Sequence, residues 1–115
     1  MEDYQEIATQ LKNIDIAMLF LNAGVGQLGA FEDLTLTEVE TIFSVNAMQP
    51  VYLCKVLLGQ MLARSQKSAI VITSSGLGNR PFPGAATYSA AKSCVSYLGE
   101  ALTYELQDRI DVLPW

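Results

Sequence analysis

Apolar residues fall along the chain in blocks separated by polar, glycine and proline positions. Residues 4–11 put Ile7 and Leu11 on one face of a short helix. Residues 14–21 (Ile-Asp-Ile-Ala-Met-Leu-Phe-Leu) are almost wholly apolar and stop at Asn22-Ala23-Gly24. Such a run predicts a strand buried on both faces, then a turn. Residues 25–36 read as a glycine-containing loop. Thr37-x-x-Glu40 is a capping box, and Val39, Ile42, Phe43, Leu53, Val56 and Leu57 keep helical spacing toward Arg64. After a polar connection at 65–68, residues 69–73 predict a second buried strand. Residues 74–84 are a loop of Ser, Gly and Pro. A second long helix is expected over 86–107, and a third strand starts at 110–113.

This alternation predicts an α/β fold with parallel strands joined by right-handed crossovers. The chain shows no internal repeat, low-complexity stretch or domain boundary, so residues 1–115 are expected to form one unit.

Composition narrows the options. Half of the 115 residues are hydrophobic and 17% are charged, which fits a core-forming chain and not a disordered one. Twelve acids against seven bases give a net charge of −5, with no basic cluster. Neither nucleic acid nor anionic lipid is therefore expected as the main partner. No uninterrupted apolar run approaches ~20 residues, so no membrane span is expected. The acidic, polar N-terminus predicts no secretory signal. Cys54 and Cys94 lie in apolar helical sequence and read as two reduced, buried thiols. There is no histidine, which excludes a His-based triad. Without histidine or a close Cys/Asp cluster, no metal site is expected.

Gly24-Val25-Gly26-Gln27-Leu28-Gly29-Ala30 matches the G-x-G-x-x-G/A dinucleotide fingerprint and follows a strand. A working fingerprint must open a helix within the glycines, so that N–H groups face the pyrophosphate. Here the helix signal comes well after Gly29, and Glu32 and Asp33 would set negative charge near phosphates. The acidic residue required ~20 positions on is also missing; Gln49 stands there. The segment reads as a loop at a strand's carboxyl end.

Tyr88 and Lys92 are four apart near a helix start and share a face. A phenol of pKa ~10 is a weak acid–base catalyst at neutral pH. An ammonium beside it favours the phenolate and makes the phenol a better proton donor to a carbonyl under reduction. Ser75 follows the second strand, where open α/β sheets place ligands, and can donate to a developing oxyanion. Asn46 is a polar residue in an apolar helix, with Pro50 four positions later. Proline has no N–H, so the Asn46 carbonyl loses its helical donor and can hold a water.

Together these residues resemble the short-chain dehydrogenase/reductase family. The resemblance covers Asn22-Ala23-Gly24 after the strand, Asn46, Ser75 and Tyr88-x-x-x-Lys92, with Ser75 thirteen positions before Tyr88. It implies a partial Rossmann fold, the fourth to sixth strands of the family sheet with flanking helices. It implies Tyr88 as general acid/base and Lys92 as its partner and ribose ligand. Ser75 would orient the substrate carbonyl, and the Asn46 main chain would hold a relay water. Asn22, Ala23 and Gly24 would support the cofactor. NAD or NADP is implied, with NADP favoured, along with a small-molecule carbonyl/alcohol pair and a homo-oligomer formed by the two long helices of the full-length protein.

Residues 4–7, 14–16, 63–65 and 74–78 with Pro81 and Pro83 look like the 3-oxoacyl-CoA reductase and 17β-hydroxysteroid dehydrogenase branch, which suggests a lipid-like substrate. A cytoplasmic location is expected, or the endoplasmic reticulum if a membrane anchor precedes this segment. The family's T-G-x-x-x-G-x-G unit and the residue that selects NAD or NADP find no counterpart here. The chain is therefore expected to be an incomplete domain. Such a segment would leave apolar sheet edges exposed and be prone to association.

Overall fold

The computed structural model describes residues 2–78 and 80–114. Met1 of the acidic N-terminal stretch, Asn79 of the expected 74–84 loop and Trp115 lie outside them. Met18–Leu21 (β1), Ser68–Ile72 (β2) and Ile110–Pro114 (β3) form one parallel sheet in that order. Phe20 is in register with Val71, and Val71 with Leu113. The helices are Glu2–Leu11 (α1), Leu36–Phe43 (α2), Gln49–Leu62 (α3) and Ala86–Glu105 (α4). The parallel α/β arrangement is the one the residue pattern predicts.

Side chains alternate across a strand, and here the alternation separates a covered face from an open one. Leu21, Ile70, Ile72, Ile110 and Val112 point to one face and join Cys54 and Met61 of α3 and Val95 of α4 in the core. Full burial of such aliphatic side chains contributes about 1.5–3 kcal/mol each. The other face carries Met18, Phe20 and Leu113, all exposed. The expectation of burial on both faces of the first strand therefore fails. Helices α3 and α4 cover only one side, and the strand itself is just four residues long. Where α4 meets β3, Gly99 makes the approach possible, because a Cβ there would lie 2.9 Å from Pro114 Cβ.

The cap of α2 also differs from expectation. Thr35, not Thr37, is the N-cap. Its hydroxyl accepts from Glu38 N, and Glu38 Oε2 accepts from Thr35 N at 2.7 Å. The long helix expected to Arg64 is interrupted by a π turn at Ser44–Met48, closed by Gln49 N donating to Ser44 O. Pro50 accounts for it, since the missing N–H breaks the regular ladder at Asn46. Residues 36–62 are together long and apolar enough to cross a membrane by length and composition. They pass that test despite lacking a long unbroken apolar run, and they pack Ile42, Leu57 and Met61 into the interior. Cys54 is buried as expected; Cys94 is exposed on the outer side of α4.

Candidate active site

The carboxyl ends of β1 and β2 open into a cleft of about 470 Å³. Its walls are the segment after β1, Thr73 and Ser74 after β2, and Tyr88 and Lys92 of α4. Tyr88 sits near the start of α4 and packs against Ile42, Ala47 and Ala91. One turn on, Lys92 is 3% exposed. Its Nζ donates to Thr73 O at 3.3 Å and lies 5.8 Å from the Tyr88 ring centroid. Burial lowers the Lys92 pKa from the ordinary lysine value.

Asn46 reaches the site from the π turn. Its Oδ1 accepts from Val25 N at 3.1 Å, and its Nδ2 donates to Val25 O at 2.6 Å and Ile42 O at 2.8 Å. The break in the regular helical ladder expected four residues before Pro50 falls in the π turn. The side chain's grip on the loop is an added contact that spacing alone did not disclose. Gly24 lies between Asn46 and Lys92. A Cβ there would stand 3.0 Å from Asn46 Oδ1 and 3.3 Å from Lys92 Nζ. Asn22 Oδ1 accepts from Thr73 Oγ1 at 2.9 Å, which ties the two strand ends together. Ala23 faces a smaller cavity beside Pro50 and Leu53.

Ser75 is not a wall of the Tyr88 cleft. It lines a neighbouring one of about 530 Å³ with Leu77, and Leu77 borders both. Ser75 Oγ accepts from Leu77 N at 3.2 Å, so its own proton remains available to donate. Ser74 Oγ, by contrast, is paired with Ser96 Oγ.

The Gly24–Gly29 segment opens no helix. A 3-10 turn at Phe31–Asp33 follows, and α2 begins only at Leu36. It is nonetheless more than a bystander loop. Gly26 lies against the Tyr88 ring, and Gln27 donates to Glu38 Oε1 at 2.7 Å. Gly29 N donates to Gly84 O at 2.8 Å, and both glycines have positive φ, so two side-chain-free positions join the loop to the entry of α4. Sequence reasoning missed Thr73, Gln27 and Glu38. Thr35-x-x-Glu38 was a readable signal for the last; nothing local marked Thr73.

The site tests whether a nicotinamide cofactor fits. The small Gly24, the buried Lys92 ammonium and the Tyr88 ring frame a cleft suited to a ribose and ring. The pyrophosphate half finds no helix N-terminus in the glycine segment.

A cleft at the carboxyl ends of parallel strands, walled by a tyrosine and a lysine one helical turn apart, defines a Rossmann-type α/β protein. The comparisons give its family. The short chain dehydrogenase profile matches residues 2–113, and the chain belongs to that family. It is 31% identical over 113 residues to a very-long-chain 3-oxoacyl-CoA reductase of Neurospora crassa, covering 96% of this chain and 34% of that protein. It is 32% identical over 108 residues to 17-beta-hydroxysteroid dehydrogenase type 3 of Rattus norvegicus, covering 92% and 35%. A short chain dehydrogenase/reductase from Burkholderia phymatum, solved in complex with NAD, superposes with TM-score 0.87 at 27% identity, covering 98% of this chain and 42% of that one. The chain spans about a third of the length of the curated relatives it matches. The resemblance to the reductase and hydroxysteroid branch is carried by these relatives.

Proposed function

We propose that the chain is the proton-transfer segment of an NAD(P)-dependent oxidoreductase that interconverts a carbonyl and an alcohol. The observation that carries this reading is the placement of Lys92 Nζ 5.8 Å from the Tyr88 ring in one shared cleft. Tyr88 donates a proton to the substrate oxygen during reduction and takes it back during oxidation. The ammonium of Lys92, aimed by Thr73 O, favours the phenolate left behind. Ser75 uses its unengaged proton to orient the carbonyl and stabilise charge on its oxygen. Asn46 holds the loop that carries Gly24 through Val25, and its main-chain carbonyl, deprived of a helical donor by Pro50, holds the relay water in this reading. Asn22, Ala23 and Gly24, with Tyr88 and Lys92, form the cofactor side. When bound there, a nicotinamide supplies or accepts hydride.

The glycine segment leads into a loop and not a helix. That supports assigning the pyrophosphate contacts to chain outside this segment and treating residues 1–115 as part of a larger domain. NADP is favoured over NAD, and the branch relatives favour a steroid or 3-oxoacyl substrate. The reading places the protein in the cytoplasm, or at the endoplasmic reticulum where an anchor is joined to it.

The test is NADPH-dependent ketone reduction by the chain and by Tyr88→Phe. Loss of about 10²-fold or more in turnover in the variant supports the assignment. Turnover equal to wild type would sink it. A second reading, a non-catalytic segment acting by association, is favoured by the exposed sheet face of Met18, Phe20 and Leu113. A chain without turnover that sediments as a defined oligomer would favour it.

A further inference from the structure

Beyond Leu77, the segment Arg80-Pro81-Phe82 stands between two clefts of about 530 and 550 Å³. The first contains Ser75 and shares Leu77 with the Tyr88 cleft, so it continues the candidate active site. The second lies along α4, and its lining is mostly apolar, with Phe82 and Tyr97. Cavities of this size accept small organic molecules. Both are bordered by the guanidinium-bearing residue Arg80.

The other charges set Arg80 apart. Arg64 is paired with Asp15 at 2.6 Å and Lys67 with Asp111 at 2.7 Å. Lys92 is buried and donates to Thr73 O. Arg80 has no carboxylate within 4.0 Å among the described residues. Lys12, Lys55 and Arg109 share that property, but none of them lines these three clefts. Arg80 is thus the exposed cation at the site, set beside Pro81 and Phe82 in a chain of net charge −5. An acidic chain repels anions at a distance. A guanidinium held next to apolar walls suits a ligand that brings both an apolar body and a charge, since its planar fork matches carboxylate and phosphate.

We propose that Arg80 is a specificity-determining residue, selecting substrates with an anionic group on an apolar body. The body lies between Leu77 and Phe82, the anion meets Arg80, and the reacting carbonyl lies beside Leu77, where the Ser75 and Tyr88 clefts meet. This deepens the oxidoreductase reading and rests on it for the carbonyl end only.

The experiment titrates decanoate, decanol and inorganic phosphate into the 115-residue chain, with calorimetry and NMR shifts as readouts. Decanoate is expected to bind about tenfold more tightly than decanol, the scale of one charge-assisted hydrogen bond. Arg80→Gln is expected to erase that difference, and Arg80→Lys to keep part of it. Equal affinity for acid and alcohol would overturn the proposal. So would unchanged decanoate binding in Arg80→Gln, no decanoate binding at all, or displacement of decanoate by phosphate at equal concentration. The two readings fail separately. Unchanged turnover in Tyr88→Phe with an intact acid preference removes only the oxidoreductase. Turnover without an acid preference removes only the role of Arg80.

Discussion

Asn46 grips Val25 at both ends of its carboxamide, accepting from Val25 N and donating to Val25 O. One side chain on the π turn thereby fixes the loop that walls the cleft. Asn46 is 1% exposed and Ile42 2%, whereas Val25 is 40% exposed, so only the Ile42 end of the clamp is shut off from water. Truncation in Asn46→Ala removes three hydrogen bonds, one of them buried, and should cost about 1–3 kcal/mol. Asn46→Asp keeps the acceptor but sets a carboxylate oxygen against Val25 O and Ile42 O, and should cost at least as much. Urea unfolding of the three proteins checks the order; an unperturbed midpoint in both variants would show the clamp to be incidental.

Gly24 and Gly26 stand two residues apart and should respond unequally to an added methyl group. A Cβ at Gly24 meets Asn46 Oδ1 at 3.0 Å and Lys92 Nζ at 3.3 Å, whereas one at Gly26 meets the Tyr88 ring at 3.6 Å, an ordinary contact. Gly24→Ala should destabilise by roughly 1–3 kcal/mol through overpacking. Gly26→Ala should stay within about 0.5 kcal/mol. The fingerprint alone would assign both glycines the same importance. Thermal unfolding of the pair distinguishes packing at Gly24 from a phosphate-binding requirement at both.

Much of the fold could be read from the chain because period and punctuation agree. The β2 run and the Tyr88–Lys92 face follow from local rules, and the structure shows both, whereas the missing donor at Pro50 signalled a broken ladder but not the π turn that interrupts the helix. The failures have a physical pattern as well. Residues 14–21 look doubly buried because Met18 and Phe20 are as apolar as Leu19 and Leu21, yet neither α3 nor α4 covers their face. Cys94 looked buried for the same reason. Ser75 and Tyr88 match the family spacing but line adjoining clefts that share Leu77 as a wall. Spacing in sequence does not encode that partition.

The two overlapping capping boxes can be separated by mutation. Thr35 carries both cap bonds, and no cap bond is made by Thr37 among the described residues. Thr35→Ala should cost about 1 kcal/mol. Thr37→Ala, on an exposed helix position, should fall within about 0.5 kcal/mol. Thr35's backbone, then Gln27 and the Thr35 hydroxyl, hold the Glu38 carboxyl below its ordinary pKa. The folded pKa is lower than the unfolded one. The cap's contribution is therefore complete above the ordinary carboxylate value of ~4.3 and is lost as pH falls through the lowered folded value. Helix signal followed through an acid titration, in wild type and Glu38→Gln, reads this directly.

Lys92 gives a pH dependence of the same sign at the basic end. Burial lowers its folded pKa, so between that value and the ordinary ~10.4 the unfolded chain binds more protons. Stability should rise with pH across that window as the cost of the buried charge is relieved. Lys92→Met removes the titrating group, and the rise should vanish with it. Urea midpoints measured across the alkaline range in both proteins give the comparison; an identical slope would place the proton elsewhere.

The outer side of α4 presents a regular row of exposed small and aromatic side chains. Ala90, Cys94, Tyr97, Ala101 and Tyr104 are all exposed and follow one another at intervals of four, three, four and three residues. That is the spacing of a coiled-coil seam, where a second helix packs its own small and large residues into the gaps. Tyr97 is 73% exposed and Tyr104 71%, an apolar cost that pairing would remove. Tyr97→Glu should shift the chain toward monomer in sedimentation velocity, because a carboxylate in the seam would be desolvated without a partner. Cys94 reports the same event chemically. Its exposed thiol should alkylate readily in dilute chain and more slowly as concentration rises. Cys54 should resist at every concentration, since burial both shields it and raises its pKa. A chain that stays monomeric, with Cys94 reacting at one rate throughout, would leave the α4 seam without a partner and remove this mode of assembly.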